Sequence, residues 1–257
     1  MTDDANVRIE QWIARGGAGN DGFYVKGKGL KGVFSGVGVR GKSVERSQAH
    51  GDLEVPVLRS SRFVTIAGPC IADSAEKLDW YSTVLTGLLA DGESARVIFE
   101  LPGKTRWGIA KLNDTPEFEP VKWGERAEWQ LSLKFANPRL YGDAQTFPNA
   151  QWSLSQIHHF GNFKASPVIT VTGSAPSGYT LNLPGGKQFK VTRALVSGSP
   201  HVIDMADGYL RIGGVIVSNS VTRADLIAVP GGAAVAISVT PVSGTASLSV
   251  LVLDTFM

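Results

Sequence analysis

Apolar residues recur with a helical period in only one part of the chain. Asp73, followed three residues later by Glu76, is typical of a helix N-terminus. An apolar stripe at helical spacing follows and continues until Gly92. The pattern therefore predicts a helix over 74–90 with one buried face. The stripe consists of Leu78, Tyr81, Val84, Leu85, Leu88 and Leu89.

Strands are predicted around this helix. In segment 127–135, apolar side chains occupy every second position from Trp129 to Phe135, and polar side chains lie between them. This period of two is typical of a strand with one face in water. A single helical crossover excludes a parallel α/β fold, so we expect a mostly antiparallel β domain with one helix. The predicted strands are 62–67, 95–101, 105–112 and 127–135.

The second half of the chain shows no helical period. Short runs rich in Val, Ile and Thr alternate there with Gly, Pro, Ser and Asn at regular intervals. This pattern predicts a β-sandwich or jelly roll. The predicted strands are 168–172, 179–183, 189–196, 209–212, 215–217, 234–239 and 246–253.

Charge is distributed unevenly between the two halves. The chain has 257 residues with 25 basic and 23 acidic side chains, yet only ten charged residues lie in 151–257, and none of them is Glu. A polar segment with Gly and Pro lies where the composition changes. We therefore predict a first domain over 1–142, a linker over 143–150 and a second domain over 151–257.

Composition narrows the class of protein. The net charge of +2 gives no indication of a nucleic-acid or membrane-surface partner. A single cysteine, Cys70, excludes an internal disulfide framework. The longest apolar stretch, 226–239, is interrupted by Pro230 and two glycines, so no membrane insertion is expected. The acidic start of the chain lacks an apolar core, which predicts no signal peptide and a cytoplasmic protein.

A glycine-rich segment, 27–41, contains the pattern G-x-G-x-x-G twice. No helix-forming segment opens on the third glycine of either copy, so a dinucleotide site is not expected. Glycines in extended chain allow close backbone approach, as at a subunit contact, and a mobile surface loop is the alternative. If 27–41 is extended, Val37 and Val39 point to a common face. The candidate interface residues are Gly27, Gly29, Gly32, Gly36, Val37, Gly38, Val39 and Gly41.

Groups that could carry chemistry are few. The adjacent His158 and His159 point to opposite faces if they lie in a strand, so they cannot chelate one metal together. Glu117 and Glu119 share a strand face and could form a hydrolytic pair, but the flanking prolines favour an exposed edge. No catalytic motif occurs. We therefore predict no enzymatic activity, no cofactor and no metal.

Aromatic residues of the second domain are the remaining candidates. Tyr179, Phe189 and Tyr209 could stack on a sugar, because β-sandwiches often bind carbohydrate on a concave face. A core or interface position explains each of them equally well.

Several segments, in their order and spacing, resemble the distal tail proteins of long-tailed phages with flexible tails. The resemblance covers nearly the whole chain. The segments are SSRFVTIAGPC (60–70), LTGLLADG (85–92), VIFEL (97–101), AEWQLSLKFANPRLYG (127–142), HFGNFKASPVITVTG (159–173), VIDMADGYLRIGG (202–214) and the PGG turn at 230–232.

The resemblance implies a structural role. In this family, a first domain forms a ring, expected to be hexameric, that joins the tail tube to the hub and adhesion apparatus. A galectin-like second domain outside the ring contacts receptor-binding or peripheral tip proteins. The implied location is the tail tip of the virion, after assembly in the host cytoplasm. The alternative is a carbohydrate-binding protein in which residues 151–257 recognise host glycans and the first domain serves for attachment.

Overall fold

The computed structural model describes residues 5–17, 19–41, 43–53, 56–148 and 154–257. The chain divides into two compact units, Met1–Leu140 with Met257, and Tyr141–Phe256. The predicted linker is wrong as far as Pro148, because 143–148 belong to a strand, Leu140–Pro148. Phe147 in this strand packs against the apolar core of the second unit, which explains why a polar, glycine-containing segment is ordered here. Residues 149–150 lie outside the described residues.

Among its described residues, the first unit contains thirteen strands before that one, and one helix. The helix is α1 (Ala75–Gly87). The strands are β1 (Asn6–Ile9), β2 (Trp12–Arg15), β3 (Gly22–Tyr24), β4 (Leu30–Lys31), β5 (Val39–Arg40), β6 (Val44–Glu45), β7 (Asp52–Leu53), β8 (Leu58–Arg59), β9 (Arg62–Ile71), β10 (Ala95–Leu101), β11 (Lys104–Leu112), β12 (Glu117–Lys122) and β13 (Arg126–Phe135).

The sheet of the first unit is organised around β9. This strand pairs with β13 over its whole length and, on its other side, with β3 and β4. Pairing continues from β3 through β2, β1, β10 and β11 back to β13, so the sheet closes on itself. Only the β2–β3 pair is parallel among these. The predicted class, an antiparallel β domain with one helix, is confirmed.

The helix differs from the prediction at both ends. Ser74, not Asp73, is the N-cap, and its hydroxyl accepts a hydrogen bond from the Lys77 backbone N–H. At the other end, Leu88 leaves the helical region and Leu89 takes a positive φ of 55°, so the helix stops at Gly87. Within the predicted apolar stripe, Leu78, Tyr81 and Leu85 are buried, whereas Val84, Leu88 and Leu89 are half-buried.

The second unit is a sandwich of two antiparallel sheets. Its remaining strands are β15 (Leu154–Ile157), β16 (Val168–Ser174), β17 (Tyr179–Leu183), β18 (Lys187–Val191), β19 (His201–Asp204), β20 (Leu210–Ile212), β21 (Val215–Ile216), β22 (Val221–Ala224), β23 (Val235–Pro241) and β24 (Thr245–Phe256), with a short 3₁₀ turn at Pro184–Gly186; Leu140–Pro148 is β14.

One sheet of this unit has the order β24-β16-β19-β20-β21, and the other has the order β15-β23-β17-β18-β22. Apolar side chains from both sheets meet in one core, which includes Val171 and Val250 from the first and Leu181 and Phe189 from the second. The predicted sandwich is therefore confirmed. Among the described residues, no helix has the length and apolar character needed to cross a membrane.

Candidate interaction surfaces

The most exposed part of the first unit is a two-stranded ribbon, described over 36–41, 43–53 and 56–60, which we call the arm. Two short ladders hold it together, one between β5 and β8 and one between β6 and β7. Isolated two-stranded hairpins are only marginally stable in water. The arm nevertheless exposes several large apolar side chains, which makes it a candidate contact with another chain. They are Val39, Val44, Leu53, Val57 and Leu58.

A buried arginine fixes the base of the arm. Arg62, the first residue of β9, is 3% exposed. Its Nη1 donates to the carbonyl oxygens of Gly32 at 2.6 Å and Ser35 at 2.9 Å, and its Nε donates to that of Pro138 at 2.8 Å. Burial and the nearby Arg106 lower the pKa of Arg62. These charge-assisted bonds hold the chain in place just before the arm begins.

Two of the predicted interface glycines serve the fold of the same chain. A Cβ at Gly29 would overlap the carbonyl oxygen of Ala67, and a Cβ at Gly32 would overlap that of Phe63. Gly32 also has a φ of +88°, which disfavours other residues. These glycines let β4 lie directly against β9. By contrast, no atom lies within 4 Å of a Cβ built at Gly36.

The expectation that Val37 and Val39 share a face is wrong. Val37 is buried at 7% exposure, whereas Val39 is 62% exposed. The reason is that only Val39 belongs to a strand, β5, while Val37 precedes it in irregular chain. The Val37 carbonyl accepts a hydrogen bond from Arg59 Nη1 at 3.2 Å. The exposed members of the predicted set are Gly27, Gly36, Gly38, Val39 and Gly41.

A second surface lies beside the helix and was not predicted from the sequence. A groove of about 170 Å³ runs between α1 and the edge strand β12, and we call it the α1–β12 groove. Trp123, at its rim, is 74% exposed. The signal available in the sequence was weak, because Trp123 lies in a short polar turn next to Gly124. The groove is lined by Ala75, Leu78, Asp79, Ser82, Phe118, Pro120 and Trp123.

A cleft of about 280 Å³ lies on the other side of α1, next to β2 and β3. Trp80 at its rim is 57% exposed, as its position outside the apolar stripe indicates. The rings of Trp12 and Trp129 meet edge to face with centroids 5.4 Å apart, and Phe23 packs against both. This aromatic cluster packs between the sheet and α1, because Phe23 also contacts Tyr81 of the helix.

An ionic network ties the helix to the β2–β3 connection. Asp21 accepts hydrogen bonds from Lys77 Nζ at 2.8 Å and Tyr81 Oη at 2.9 Å. The bond from Lys77 lowers the pKa of Asp21, partly offset by desolvation. Burial and the Asp21 carboxylate raise the pKa of Tyr81 to about 12. The network therefore holds a charged Asp21 and a neutral Tyr81 at neutral pH.

The candidate glycan residues do not form a surface. Tyr179 and Phe189 are buried at 1% and 0% exposure in the core of the sandwich, so their prediction as glycan contacts is wrong. They alternate with polar neighbours on β17 and β18 and point into the core. Tyr209 alone is exposed, at 53%, beside Arg211, which pairs with Asp207 at 2.5 Å.

Inside the same core, the Tyr179 hydroxyl is hydrogen-bonded to His201 Nδ1 at 3.1 Å. Burial lowers the pKa of His201, with a further contribution from Arg193, while a hydrogen bond with the Ala194 backbone opposes the shift. Burial also raises the pKa of Tyr179. The pair is therefore a neutral hydrogen bond within an apolar core.

The remaining polar candidates are dispersed. His159 is buried and bonded to the Gly161 N–H and the Val229 carbonyl, whereas His158 is exposed and contacts Phe147 and Phe160. Both histidines follow β15 rather than lie in it. Glu117 and Glu119 lie exposed on the edge strand β12. Within the described part of the chain, no three His, Cys, Asp or Glu side chains are grouped as metal ligands.

The two β-rich units, in this order, have the fold of the distal tail proteins that the sequence resembles. The chain is similar to SPP1 Dit (gp 19.1), described as a paradigm of the hub adsorption apparatus in phages that infect Gram-positive bacteria. The TM-score is 0.76 at 12% identity, over 98% of this chain and 99% of that one.

Two structures of the phage P2 baseplate in its activated conformation, with Ca and with Sr, are similar with TM-scores of 0.52 and 0.51. Identity is 7% in both cases, over 96% of this chain and 97% of the other. No protein-family model matches the sequence, and no curated protein matches it either.

Proposed function

We propose that this protein is a structural component of a phage tail tip, in which copies of the chain form a ring that joins the tail tube to the hub and adhesion apparatus. The observation that carries this proposal is the similarity to SPP1 Dit, which covers 98% of this chain and 99% of that one. A fold alone does not define a function. The match in unit order and length nevertheless supports a role in the same kind of apparatus.

The ring is proposed to be a homohexamer built from the first domain, residues 1–142. A closed cyclic ring needs a head-to-tail interface with two different faces on each subunit. The arm is a suitable face, because it exposes apolar side chains on a narrow ribbon. Of the predicted interface residues, Gly27, Gly36, Gly38, Val39 and Gly41 remain accessible for this contact.

The second domain, proposed as residues 151–257 and galectin-like, would lie outside the ring and contact receptor-binding or peripheral tip proteins. The other proposed partners are the tail tube protein and the hub protein, without nucleic-acid specificity or membrane insertion. This assigns the protein to the tail tip of the virion, after assembly in the host cytoplasm. A non-enzymatic role agrees with the structural character of the similar proteins.

The test is the assembly state of the full-length protein. Light scattering after size-exclusion chromatography should give a mass of six chains, and negative-stain microscopy should show rings with sixfold symmetry. Addition of tail tube protein should add a layer to one face of the ring. A chain that stays monomeric at high concentration and in the presence of tail tube and hub proteins would contradict the proposal.

A further inference from the structure

Three cationic side chains lie next to one another on one face of the first unit's sheet. Lys111 of β11 is directly opposite Lys134 of β13 in the antiparallel ladder. Arg96 of β10 is directly opposite Ile109, which lies two residues before Lys111 on β11. Side chains two residues apart on a strand point to the same face of a sheet. The three cations therefore occupy neighbouring positions, and all three are exposed.

No acidic side chain offsets these charges. Within the described part of the chain, Arg96, Lys111 and Lys134 form no ion pair. The two acidic residues that lie within three positions of these cations in sequence, Glu93 and Asp114, are exposed and form none either. Like charges directly opposite each other destabilise an antiparallel pair. The Lys111–Lys134 pair therefore weakens the sheet at this position in the free chain.

Two of the three cations lie over aromatic rings. Arg96 Cζ is 4.0 Å from the centroid of the Trp107 ring, and Lys134 Nζ is 5.9 Å from the centroid of the Phe63 ring. The ring quadrupole attracts a cation in this position, but it does not neutralise the charge. The rings thus help to position the two cations, which stay available to an anion.

A hollow of about 390 Å³ opens beside the two lysines, and we call it the β11–β13 hollow. It lies next to a ladder of two residue pairs that joins these strands. Ile109 and Ala136 contribute apolar side chains to its lining, and Ile109 is 50% exposed. A ligand in the hollow therefore meets an apolar surface and the two lysines, Lys111 and Lys134, at the same time.

This combination selects one class of anion. Inorganic phosphate would meet the lysines but would leave Ile109 in water. A peptide segment in which an acidic residue adjoins an apolar residue supplies both kinds of contact. Hydrogen bonds between an ammonium group and a carboxylate are stronger than those between neutral groups. The volume of the hollow accommodates a few side chains, so the expected ligand is a short segment rather than a folded surface.

We propose that the β11–β13 hollow binds an acidic peptide segment of another tail-tip protein. A carboxylate of the segment would lie between Lys111 and Lys134, and its apolar neighbour would pack against Ile109. Arg96 would attract further acidic groups of the same segment. This inference rests on the proposed function, which supplies the tail tube and hub proteins as partners. Binding of the segment would also relieve the repulsion between the two lysines.

Zero-length cross-linking tests the contact directly. A carbodiimide joins a lysine amine to a carboxylate, with loss of water, only where the two groups touch. The full-length chain is mixed with tail tube protein or with hub protein, cross-linked and mapped by mass spectrometry. We expect Lys111 or Lys134 to be joined to an Asp or Glu of one of these proteins. A link from these lysines to another copy of the chain, or no link from them, would overturn the inference.

Charge reversal separates binding from folding. Lys111→Glu places a carboxylate opposite Lys134, so the melting temperature of the first unit should rise by about 1–3 °C. The dissociation constant for the cross-linked partner should nevertheless increase at least about tenfold, because the carboxylate now faces a like charge. Lys111→Glu with Lys134→Glu should lose binding as well. The matched control, Lys104→Glu with Lys164→Glu, reverses two other exposed lysines and should bind as the wild type does.

The remaining outcomes distinguish the inference from the proposed function. Normal affinity of both reversed variants overturns the inference, whereas a wild-type ring that binds tail tube or hub protein leaves the proposed function intact. Inorganic phosphate or an oligonucleotide could bind the wild type and not the double variant while both chains bind the two proteins equally. The hollow would then take a different anion, and the inference is overturned. A wild type that forms no ring and binds neither protein contradicts the proposed function and this inference together.

Discussion

The two units bury their polar groups in different ways. In the first unit, the charged Arg62 is buried and serves three backbone carbonyls around the base of the arm. In the second unit, Tyr179 and His201 form a hydrogen-bonded pair within the sandwich core, and the buried carboxylate of Asp254 accepts a hydrogen bond from the Phe160 N–H at 2.8 Å. The first unit exposes the arm and two tryptophans, Trp80 and Trp123, whereas the second unit exposes smaller single apolar side chains such as Val215 and Val242, with Phe160 as its most exposed aromatic residue among those described.

A buried charge is tolerated only when its hydrogen bonds are satisfied, so it specifies one arrangement of the chain around it. In the first unit, the arrangement of the chain around Arg62 holds the exposed arm in place. The core of the second unit instead forms one continuous apolar cluster between two sheets. Arg62 therefore gives the first unit a means of holding an exposed segment in place.

The largest effect should come from the core of the second unit. Phe189→Ala removes a fully buried ring and should lower the free energy of unfolding of this unit by about 3–5 kcal/mol. Hydrogen exchange resolved by segment should show faster exchange in β17 and β18 while β9 and β13 stay protected. Val196→Ala, at an exposed position of the same unit, is the control and should change little. Equal loss of protection in β9 would contradict the prediction that Phe189→Ala destabilises the second unit alone.

In the first unit, two glycines of the same segment should respond differently. Gly29→Ala forces a methyl group against the Ala67 carbonyl and should destabilise the unit by about 1–3 kcal/mol, measured by denaturant unfolding. Gly36→Ala meets open space and should leave the free energy of unfolding within about 0.5 kcal/mol. Bulkier substitution of Gly36 and Gly38 should reduce the oligomer without unfolding the monomer. Equal stability of Gly29→Ala and wild type would argue against the β4–β9 packing.

Acid should weaken the second unit before the first. Because the pKa of His201 is lowered in the folded state, the unfolded chain binds more protons, and stability rises with pH. The contribution of neutral His201 to the free energy of unfolding is complete above about pH 6.5, and it is lost as the pH falls towards the lower pKa of the folded state. In the first unit, the pKa of Asp21 is also lowered, but the usual pKa of an aspartate is already near 4. The contribution of Asp21 to the free energy of unfolding is therefore lost only below about pH 4. Melting curves between pH 7 and 5 should shift for the second unit, and His201→Gln should flatten that dependence.

The smallest effect concerns Cys70, which is fully buried in β9. Burial, with a contribution from Asp21, raises the pKa of its thiol to about 12, so the reactive thiolate is scarce at neutral pH. A disulfide reagent should label the native protein only as fast as the first unit opens. Phe189→Ala should leave this rate unchanged, and Gly29→Ala should increase it. Rapid labelling of the wild type would show that β9 is not protected.

Long elements with a clear period could be predicted from the sequence, and elements defined by distant partners could not. Strand 95–101 and strand 179–183 occur as predicted, because each carries its own apolar pattern. Strands β5 to β8 are two residues long and exist only through pairing across the arm, which no local pattern encodes. The predicted strand 189–196 stops at Val191, because Leu195 instead forms an isolated bridge with Ala175.

The candidate surfaces also depend on distant parts of the chain, so local sequence patterns could not predict them. Tyr179 and Phe189 were indistinguishable from surface aromatics, because alternation shows that a strand has two faces but not which face is covered. Gly29 and Gly36 both belong to copies of the G-x-G-x-x-G pattern, and only the position of β9 separates a packing residue from an open one. Asp79 and Trp123 are brought together by the return of β12 towards α1, more than forty residues along the chain.

The bonds of Arg62 also set an order of events during synthesis. Its guanidinium joins carbonyls at Gly32 and Ser35, which are made before it, to the carbonyl of Pro138, which is made 76 residues later. A nascent chain therefore cannot complete the base of the arm until almost the whole first unit has left the ribosome. Chains still being translated on one messenger lie close together, and an arm that is not yet fixed is a poor partner for its neighbours. Under the proposed ring contact, the arginine would delay pairing between copies until each chain has completed the base of its own arm.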